Sequence, residues 1–431
     1  MAGFFIFEAM SVTQLLEIHS RCSGVEIDSR KVKPGNLFVA LKGEQADGNK
    51  FAQKALDAGA IAALVDDPAL KDQPGMVWAE DALAALQQLA TAYRKTFSFP
   101  VLALTGSNGK TTTKELIYAA LSTKYRTYAT KGNYNNHIGV PLTLLSIPDD
   151  AEFAIIEMGA NHQGEIAMLC EIARPEYGFI TNIGKAHLEG FGGLAGVKKG
   201  KSELYRFLMA NSGTIFFNNA NEVLEDVVAG YDKVIRFGIG TADGFSGEIL
   251  PGDFARIKVG GTEIASSLVG SFNGQNILAA LCIGDHFWCS LEAMASAIAA
   301  YLPDNNRSQW LEHKGNHYIS DAYNANPSSM SAAIAHFASM PVQPKVLIIG
   351  DMMELGEEAA AEHAAILQQA LRSDFQRIIT VGTFFGAARG ASPDHFDTTE
   401  ALLEHIQEHP LQQQYILLKG SRKMGLERLL G

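Results

Sequence analysis

A short apolar run followed by a small polar loop and a Lys-Thr pair constrains this 431-residue chain most strongly. Val101 to Leu104 predicts a buried strand, Thr105–Thr111 (TGSNGKT) predicts a tight loop, and a helix is predicted from there to about residue 121. Small residues let such a loop approach phosphate, and amide N–H groups at a helix N-terminus attract anions. The strict phosphate-loop pattern has a glycine where this chain has Leu104. An ordinary turn is the alternative, but the flanking strand and helix favour nucleotide binding.

The composition excludes several classes of protein. Hydrophobic residues make up 47% and charged residues 19%, which excludes a disordered chain. The formal charge of −12 argues against a dedicated nucleic-acid-binding protein. No apolar stretch approaches the ~20 residues of a membrane helix, so no membrane span is expected. The four cysteines lack metal-site or disulfide spacing, and Met1–Met10 has no basic residue before its Phe-rich run, so a cytoplasmic protein is expected.

Three blocks of sequence predict an α/β protein with mostly parallel sheets. The first block predicts helices at Phe51–Ala58 and Asp81–Lys95 and a strand at Ile61–Val65. The second adds strands at Phe153–Ile156 and Gly178–Ile183, and a region rich in strands and turns at about 213–272. The third predicts strands at Tyr318–Ser320, Val346–Ile349, Arg377–Val381 and Tyr415–Leu418.

Two polar residues follow predicted strands of the second block. Glu157 comes after Phe153–Ile156, where a carboxylate at the end of a sheet strand would hold magnesium. A solvated acid at a strand end is the alternative. His187 follows the next strand and is a second candidate metal ligand, although a lone histidine is more often structural.

Lys201 lies within an apolar helical stripe. A helix is predicted from Leu194 to Leu208. Its apolar face contains Leu194, Val197, Leu204 and Leu208, and Lys201 falls in the same stripe. Burying a charged ammonium is costly, and a neutral amine can react with carbon dioxide to form a carbamate, which would act as an extra carboxylate ligand. Helical spacing alone favours a lysine that extends out of the stripe to solvent.

Polar residues further along the chain leave both structural and functional interpretations open. Asn273 and Asn276 precede an alanine-rich helix that they could cap, or their amides could bind a base. Arg307 could reach a phosphate or lie on the surface. The segment Asp321–Pro327 (DAYNANP) places more polar groups in one loop than a turn requires, which favours a functional loop.

Together these residues resemble the Mur ligase family, which builds the peptide stem of the bacterial cell wall. The resemblance covers essentially the whole chain and keeps the order of the motifs. The motifs that carry it are Thr105–Thr113 (TGSNGKTTT), Gly132–Pro141 (GNYNNHIGVP), Glu157–Gly159 (EMG), His187–Gly192 (HLEGFG), Asp321–Pro327 (DAYNANP), Gly350–Gly356 (GDMMELG) and Lys419–Arg422 (KGSR).

The resemblance implies an α/β fold with three domains: a UDP-sugar-binding domain at 1–98, a central P-loop ATPase domain at 99–313, and a Rossmann-like domain at 314–431 that closes over the dipeptide site. Within the family, the nearest likeness is to members that join D-alanyl-D-alanine to UDP-N-acetylmuramoyl-tripeptide, using ATP and Mg²⁺. That reaction proceeds through an acyl phosphate, and a monomer is expected. A different ligase of the superfamily, such as the tripeptide-forming enzyme or a folylpolyglutamate synthase, and a nucleotide-dependent switch are the alternatives.

Site roles follow from the resemblance, position by position. The implied metal ligands are Thr111, Glu157, His187 and carbamylated Lys201, and Lys110 would act with the last three in catalysis. The implied ATP contacts are Gly106, Ser107, Asn108, Gly109, Lys110, Thr111, Thr112, Asn273, Asn276, Arg307 and Asp321. The implied substrate contacts are Ser29, Arg30, Lys42, Asp47 and Gly48 for the UDP part, Asn135 and Asn136 for the sugar-peptide, and Tyr323, Asn324, Asn326, Ser421 and Arg422 in the closing cleft.

Overall fold

The computed structural model of the chain describes residues 11–44, 46–390 and 394–431 and has a mixed α/β architecture. The Phe-rich start, on which the expectation of a cytoplasmic protein partly rests, lies outside the described residues. The described part of the chain divides into two compact units. Unit 1 comprises the residues up to 103 together with 126–159 and 165–177, and unit 2 comprises 104–125, 160–164 and the residues from 178 onward.

The strands are β1 Gly24–Glu26, β2 Asn36–Val39, β3 Ala62–Val65, β4 Met76–Trp78, β5 Val101–Thr105, β6 Thr127–Ala129, β7 Phe153–Glu157, β8 Tyr177–Ile180, β9 Thr214–Asn218, β10 Val234–Ile239, β11 Phe245–Leu250, β12 Phe254–Val259, β13 Thr262–Val269, β14 Gln309–His313, β15 Asn316–Asp321, β16 Lys345–Gly350, β17 Arg377–Val381, β18 Asp394–Phe396 and β19 Tyr415–Lys419.

The α-helices are α1 Val12–His19, α2 Ala52–Asp57, α3 Ala82–Arg94, α4 Lys110–Leu121, α5 Gly139–Leu145, α6 Glu165–Ala173, α7 Leu188–Phe191, α8 Leu194–Lys201, α9 Glu203–Ala210, α10 Glu225–Val228, α11 Asn273–His286, α12 Leu291–Ala300, α13 Pro327–Ser339, α14 Ala359–Leu371, α15 Thr383–Ala388 and α16 Thr399–Glu408. None of the helices in the described ranges combines the length and the apolar character that crossing a membrane requires.

The N-terminal sheet of unit 1 is fully parallel, in the order β1-β2-β3-β4. Phe38 and Val65 on this sheet share a buried apolar core with Ala52 and Ala55 of α2. The carboxyl ends of parallel strands meet at one edge of a sheet, so the loops that follow β1 and β2 share that edge. Unit 1 also contains the parallel pair β6 and β7.

The first sheet of unit 2 has the strand order β13-β12-β11-β10-β9-β8. Its strands β9, β10 and β11 are parallel, whereas β11, β12 and β13 form an antiparallel meander. This region confirms the prediction of strands and turns at about 213–272. Helices α4, α11 and α12 pack together in the same unit.

The second sheet of unit 2 has six strands in the order β14-β15-β19-β16-β17-β18. All neighbouring pairs are parallel except β14 and β15. The sheet begins at Gln309, before residue 314 where the sequence predicts the C-terminal domain to start. The sequence misses β14 because its side chains are half-buried or exposed, so it lacks the apolar run that marks the other strands.

The predicted helix from Leu194 to Leu208 is wrong in one respect. A turn at Ser202 divides it into α8 and α9. Val197, Leu204 and Leu208 are buried as the stripe predicts, but Leu194 is 47% exposed. The buried apolar face therefore starts one turn later than expected, at Val197. Lys201 is the last residue of α8.

Candidate active site

The loop between β5 and α4 has the backbone of a phosphate-binding loop. Gly106 has φ +144°, and a Cβ there would lie 1.9 Å from Oγ1 of Thr181. Gly109 precedes the first helical residue with φ +78°. A side chain at either position would be strained, so both positions require glycine. Lys110 starts the helix, and its Nζ donates to the Gly106 carbonyl at 2.8 Å.

The segment after β8 fixes this loop, a role that the sequence did not reveal. Asn182 Oδ1 accepts from Asn108 N at 3.0 Å, and Asn182 Nδ2 donates to the Asn108 carbonyl at 3.0 Å. Thr181 Oγ1 donates to the same carbonyl at 2.6 Å. Ser107 N donates to the Asn182 carbonyl at 3.0 Å, and its hydroxyl bonds to Gly184. The polar side chains of Thr181 and Asn182 could have indicated this role, but the predicted strand Gly178–Ile183 included both residues.

Asn276 lies beside the loop, as its predicted nucleotide role requires. A Cβ on Gly109 would lie 3.0 Å from Asn276 Oδ1, so the amide packs directly against the loop. Asn276 Nδ2 donates to Asn273 Oδ1 at 2.8 Å, and Asn273 Nδ2 donates to the Val269 carbonyl at 2.9 Å. The capping interpretation is wrong, because Phe272 holds the N-cap position of α11 and makes no side-chain cap bond.

The first turn of α4 buries its hydroxyls. Thr111 and Thr112 are each 6% exposed. These side chains follow the anion-attracting N-terminus of the helix, which is where a P-loop threonine meets a nucleotide-bound cation.

Glu157 is buried at the end of β7 in unit 1 and is 1% exposed, so the interpretation as a solvated acid is wrong. Its Oε1 accepts from Asn135 Nδ2 at 2.8 Å, while its Oε2 has no hydrogen-bond partner within the described residues. A buried carboxylate oxygen without a partner is what a cation would satisfy. Asn135 therefore orients Glu157 here, and Asn136 Oδ1 accepts from Ile138 N and Gly139 N at the start of α5.

Lys201 is completely buried at the end of α8. Its Nζ donates to the Ala160 carbonyl at 3.0 Å and lies 5.0 Å from the centre of the Phe191 ring. The interpretation of a lysine reaching solvent, which helical spacing alone favours, is wrong. The side chain is held inside the protein, where burying a charged group is costly unless it is paired or hydrogen-bonded.

His187 precedes α7 with a left-handed backbone, φ +54°, and its Nδ1 contacts the Glu354 carboxylate. The contact with His187 lowers the pKa of the Glu354 carboxyl. Nearby, Lys185 forms an ion pair with Glu362 on α14. The sequence could not show these contacts, because the partners lie 167 positions apart for His187 and Glu354 and 177 positions apart for Lys185 and Glu362.

The loop after β15 gathers charges from the second sheet of unit 2. Asp321 forms an ion pair with Lys419, whose side chain is 2% exposed, and also accepts from Ser308 N at 3.2 Å. Arg307 lies 3.8 Å from the centre of the Tyr323 ring, and Arg422 Nη1 lies 3.3 Å from the Tyr323 hydroxyl. Two guanidinium groups thus converge on one tyrosine, and the Arg307 Nε has no hydrogen-bond partner within the described residues.

Asn326 joins this loop to the phosphate-binding loop. It caps α13 in a reciprocal pair with Ser329, and its Nδ2 donates to Asn108 Oδ1 at 2.6 Å. Asn324 is exposed. Ser421 is buried, and its hydroxyl lacks a partner in the described part of the chain.

The predicted UDP contacts lie on the N-terminal sheet of unit 1. Lys42 pairs with Asp66 at 3.0 Å, and Asn49 donates to both Asp66 and Asp47. A Cβ on Gly48 would lie 2.6 Å from the Leu41 carbonyl, so the turn requires glycine. The sequence missed Asn49 and Asp66, which organise this cluster.

The remaining two predicted UDP contacts lie in the loop after β1. Arg30 bonds to Asp28 through two nitrogens, and these hydrogen bonds lower the pKa of Asp28. Ser29 is half-buried between them.

A metal ion at this site would need ligands that the protein side chains do not supply, such as phosphate oxygens and water. Within residues 11–44, 46–390 and 394–431, no three His, Cys, Asp or Glu side chains form a metal-binding group. Mg²⁺ commonly takes one or two protein carboxylates and completes its shell with phosphate oxygens and water. The unpartnered Glu157 oxygen of unit 1 fits that donor chemistry.

Comparisons with known proteins match three regions of the chain to one family. The sequence model "Mur ligase middle domain" matches residues 104–284, "Mur ligase, glutamate ligase domain" matches 306–422, and "Mur ligase family, catalytic domain" matches 21–95. A UDP-N-acetylmuramoyl-tripeptide--D-alanyl-D-alanine ligase of Escherichia coli (strain K12) is 37% identical over 427 residues, covering 94% of this chain and 92% of that protein. The chain belongs to the Mur ligase family.

Solved structures of Mur ligases resemble it over nearly the whole chain. MurF from Acinetobacter baumannii has a TM-score of 0.85 at 31% identity, covering 98% of both chains. MurF ligase from Thermotoga maritima in complex with ADP has a TM-score of 0.83 at 26% identity, covering 96% of this chain and 97% of that one.

Proposed function

We propose that the chain is an ATP-dependent ligase that joins D-alanyl-D-alanine to UDP-N-acetylmuramoyl-tripeptide for peptidoglycan synthesis. The observation that carries the proposal is the hydrogen bond between Asn326 and Asn108, which connects the DAYNANP segment to the phosphate-binding loop. Relatives with that activity match almost the full length of the chain. We also propose a cytoplasmic monomer that binds no nucleic acid, with domain boundaries after residue 98 and before Gln309.

The reaction has two chemical steps. The terminal carboxylate of the tripeptide attacks the γ-phosphorus of ATP, the bond to the β-phosphate oxygen breaks, and ADP leaves. The amine of the dipeptide then attacks the acyl-phosphate carbonyl through a tetrahedral intermediate. Collapse of that intermediate expels inorganic phosphate and leaves a peptide bond, while the amine gives up its proton. Both steps gather negative charge, so positive groups are needed to lower their barriers.

Lys110 has the first role in this scheme. Its ammonium donates to the Gly106 carbonyl, and a bound nucleotide offers phosphate oxygens as stronger, charged acceptors. Asn276 and Asn326 flank the same loop. Asp321 and Lys419 fix the polar loop after β15, which presents Tyr323 with its two arginines. We propose that Arg307 and Arg422 bind anionic groups of the nucleotide or dipeptide.

Mg²⁺ would be held by Thr111 and Glu157, and by His187 and carbamylated Lys201. When bound, it neutralises charge on the phosphate and carboxylate oxygens. The UDP part of the substrate would meet Ser29, Arg30, Lys42, Asp47 and Gly48, while Asn135 and Asn136 would meet the sugar-peptide.

The test measures ADP and phosphate release with substrates omitted one at a time. We expect ADP release only when UDP-N-acetylmuramoyl-tripeptide and D-alanyl-D-alanine are both present, with one pentapeptide formed per ADP. Equal ADP release without D-alanyl-D-alanine would reject the ligase in favour of a nucleotide-dependent switch. Turnover with glutamate or with a dipeptide-level UDP substrate instead would assign the chain to another ligase of the superfamily.

A further inference from the structure

The GDMMELG motif, Gly350–Gly356, has no role in the function proposed above. It leaves β16 and enters the 3₁₀ turn before α14. Glu354 within it has a left-handed backbone, φ +63°, which is uncommon for a long side chain. Its carbonyl accepts from Glu189 N on α7 at 3.2 Å, which fixes that conformation.

The strained backbone of Glu354 directs its carboxylate to His187. His187 is also left-handed, at φ +54°, so two uncommon conformations meet at one contact. Such conformations cost free energy, persist only where the surroundings fix them, and concentrate at functional sites. The His187 side chain is 22% exposed and that of Glu354 is 51% exposed. The contact therefore leaves room on the imidazole for another ligand.

The pairing selects one form of the imidazole. When Nδ1–H donates to a carboxylate, the lone pair for a metal is on Nε2, and a carboxylate behind a ligating histidine is the common arrangement in metal sites. Glu354 is contributed by the segment after β16, whereas His187 follows β8. The orientation of His187 thus depends on the six-stranded sheet staying docked on the rest of unit 2.

We propose that Glu354 is a positioning residue that orients His187 and fixes the tautomer whose Nε2 binds a divalent cation. This inference rests on the proposed function, in which His187 is a metal ligand. It links cation binding to the docking of the GDMMELG segment.

The test uses Mn²⁺ as the probe and electron paramagnetic resonance to measure free Mn²⁺, with a non-hydrolysable ATP analogue present. His187→Ala identifies the site that depends on His187. We expect Glu354→Gln to lower the Mn²⁺ affinity of that site by about 10- to 100-fold, the usual effect of losing a residue that hydrogen-bonds to a metal ligand. In the His187→Ala background, Glu354→Gln should have no further effect.

Two further variants separate this role from a structural one. Glu354→Asn introduces a residue that tolerates the left-handed backbone. Its side chain is neutral and one methylene shorter than that of glutamate. It should lower Mn²⁺ affinity as much as Glu354→Gln does and leave the melting temperature unchanged. Glu357→Gln removes the same charge from an exposed residue of the following 3₁₀ turn, Gly356–Glu358, and should bind Mn²⁺ like the wild type.

Normal Mn²⁺ affinity in Glu354→Gln or Glu354→Asn would overturn the inference. So would additive effects in the double variant, or a His187→Ala protein that loses no site. A wild type that binds Mn²⁺ but makes no pentapeptide would reject the proposed function and leave the Glu354 result to be judged on the Mn²⁺ data.

Discussion

Lys201→Ala should lower turnover by about 10³-fold, the scale expected for losing a main electrostatic group of an active site. The structure buries Lys201 completely, against the Ala160 carbonyl and the Phe191 ring. A carbamate forms when the neutral amine attacks carbon dioxide and releases one proton, and it would then supply a carboxylate ligand from this buried position. Turnover should be measured beside thermal melting, because a buried side chain is removed.

Small molecules test the chemistry of Lys201 directly. Acetate should partly restore turnover of Lys201→Ala, because the vacated space can accept a short carboxylate. Removing bicarbonate should slow the wild type, and ¹³C-labelled carbon dioxide should give a carbamate resonance that Lys201→Ala lacks. Lys199→Ala, on the exposed side of α8, is the control and should retain normal turnover. Near-normal turnover of Lys201→Ala in carbonate-free buffer would show that no carbamate is needed.

Lys110→Ala should also reduce turnover by about 10³-fold, since the phosphoryl group would lose its nearest cation. The fold should be largely unaffected, because Lys110 is half-exposed at the start of α4 and its Nζ donates to the Gly106 carbonyl of the adjoining loop. Steady-state turnover and thermal melting should be measured together, with Lys258→Ala on the exposed face of β12 as a control. A large fall in melting temperature with proportionate loss of activity would instead assign Lys110 a structural role.

The sequence predicted those parts of the fold that depend on local pattern. Buried strands such as β5 and β7 are mostly short apolar runs, and α3 begins after a capping aspartate. The half-buried strand β14 has no such pattern, and the turn at Ser202 interrupts a stripe that periodicity alone extends. These features depend on packing between segments distant in the chain.

The parts of the site that were predicted least well are contacts between side chains distant in the sequence. Periodicity placed Lys201 in an apolar stripe but favoured a side chain that reaches solvent, whereas the structure buries it. The partners of Glu157 and His187, however, come from other segments, Asn135 and Glu354. A single sequence contains no signal for such a contact. The family resemblance supplied the proposed roles of these residues, and the structure supplied their neighbours.

The central claim is that the chain activates the tripeptide carboxylate as an acyl phosphate, and an isotope measurement tests it most directly. UDP-N-acetylmuramoyl-tripeptide labelled with ¹⁸O in its terminal carboxylate is incubated with ATP and D-alanyl-D-alanine, and the products are analysed by mass spectrometry. We predict one ¹⁸O atom in each released phosphate and one pentapeptide per ADP. Unlabelled phosphate accompanying pentapeptide formation, or ADP formed without pentapeptide, would contradict the account.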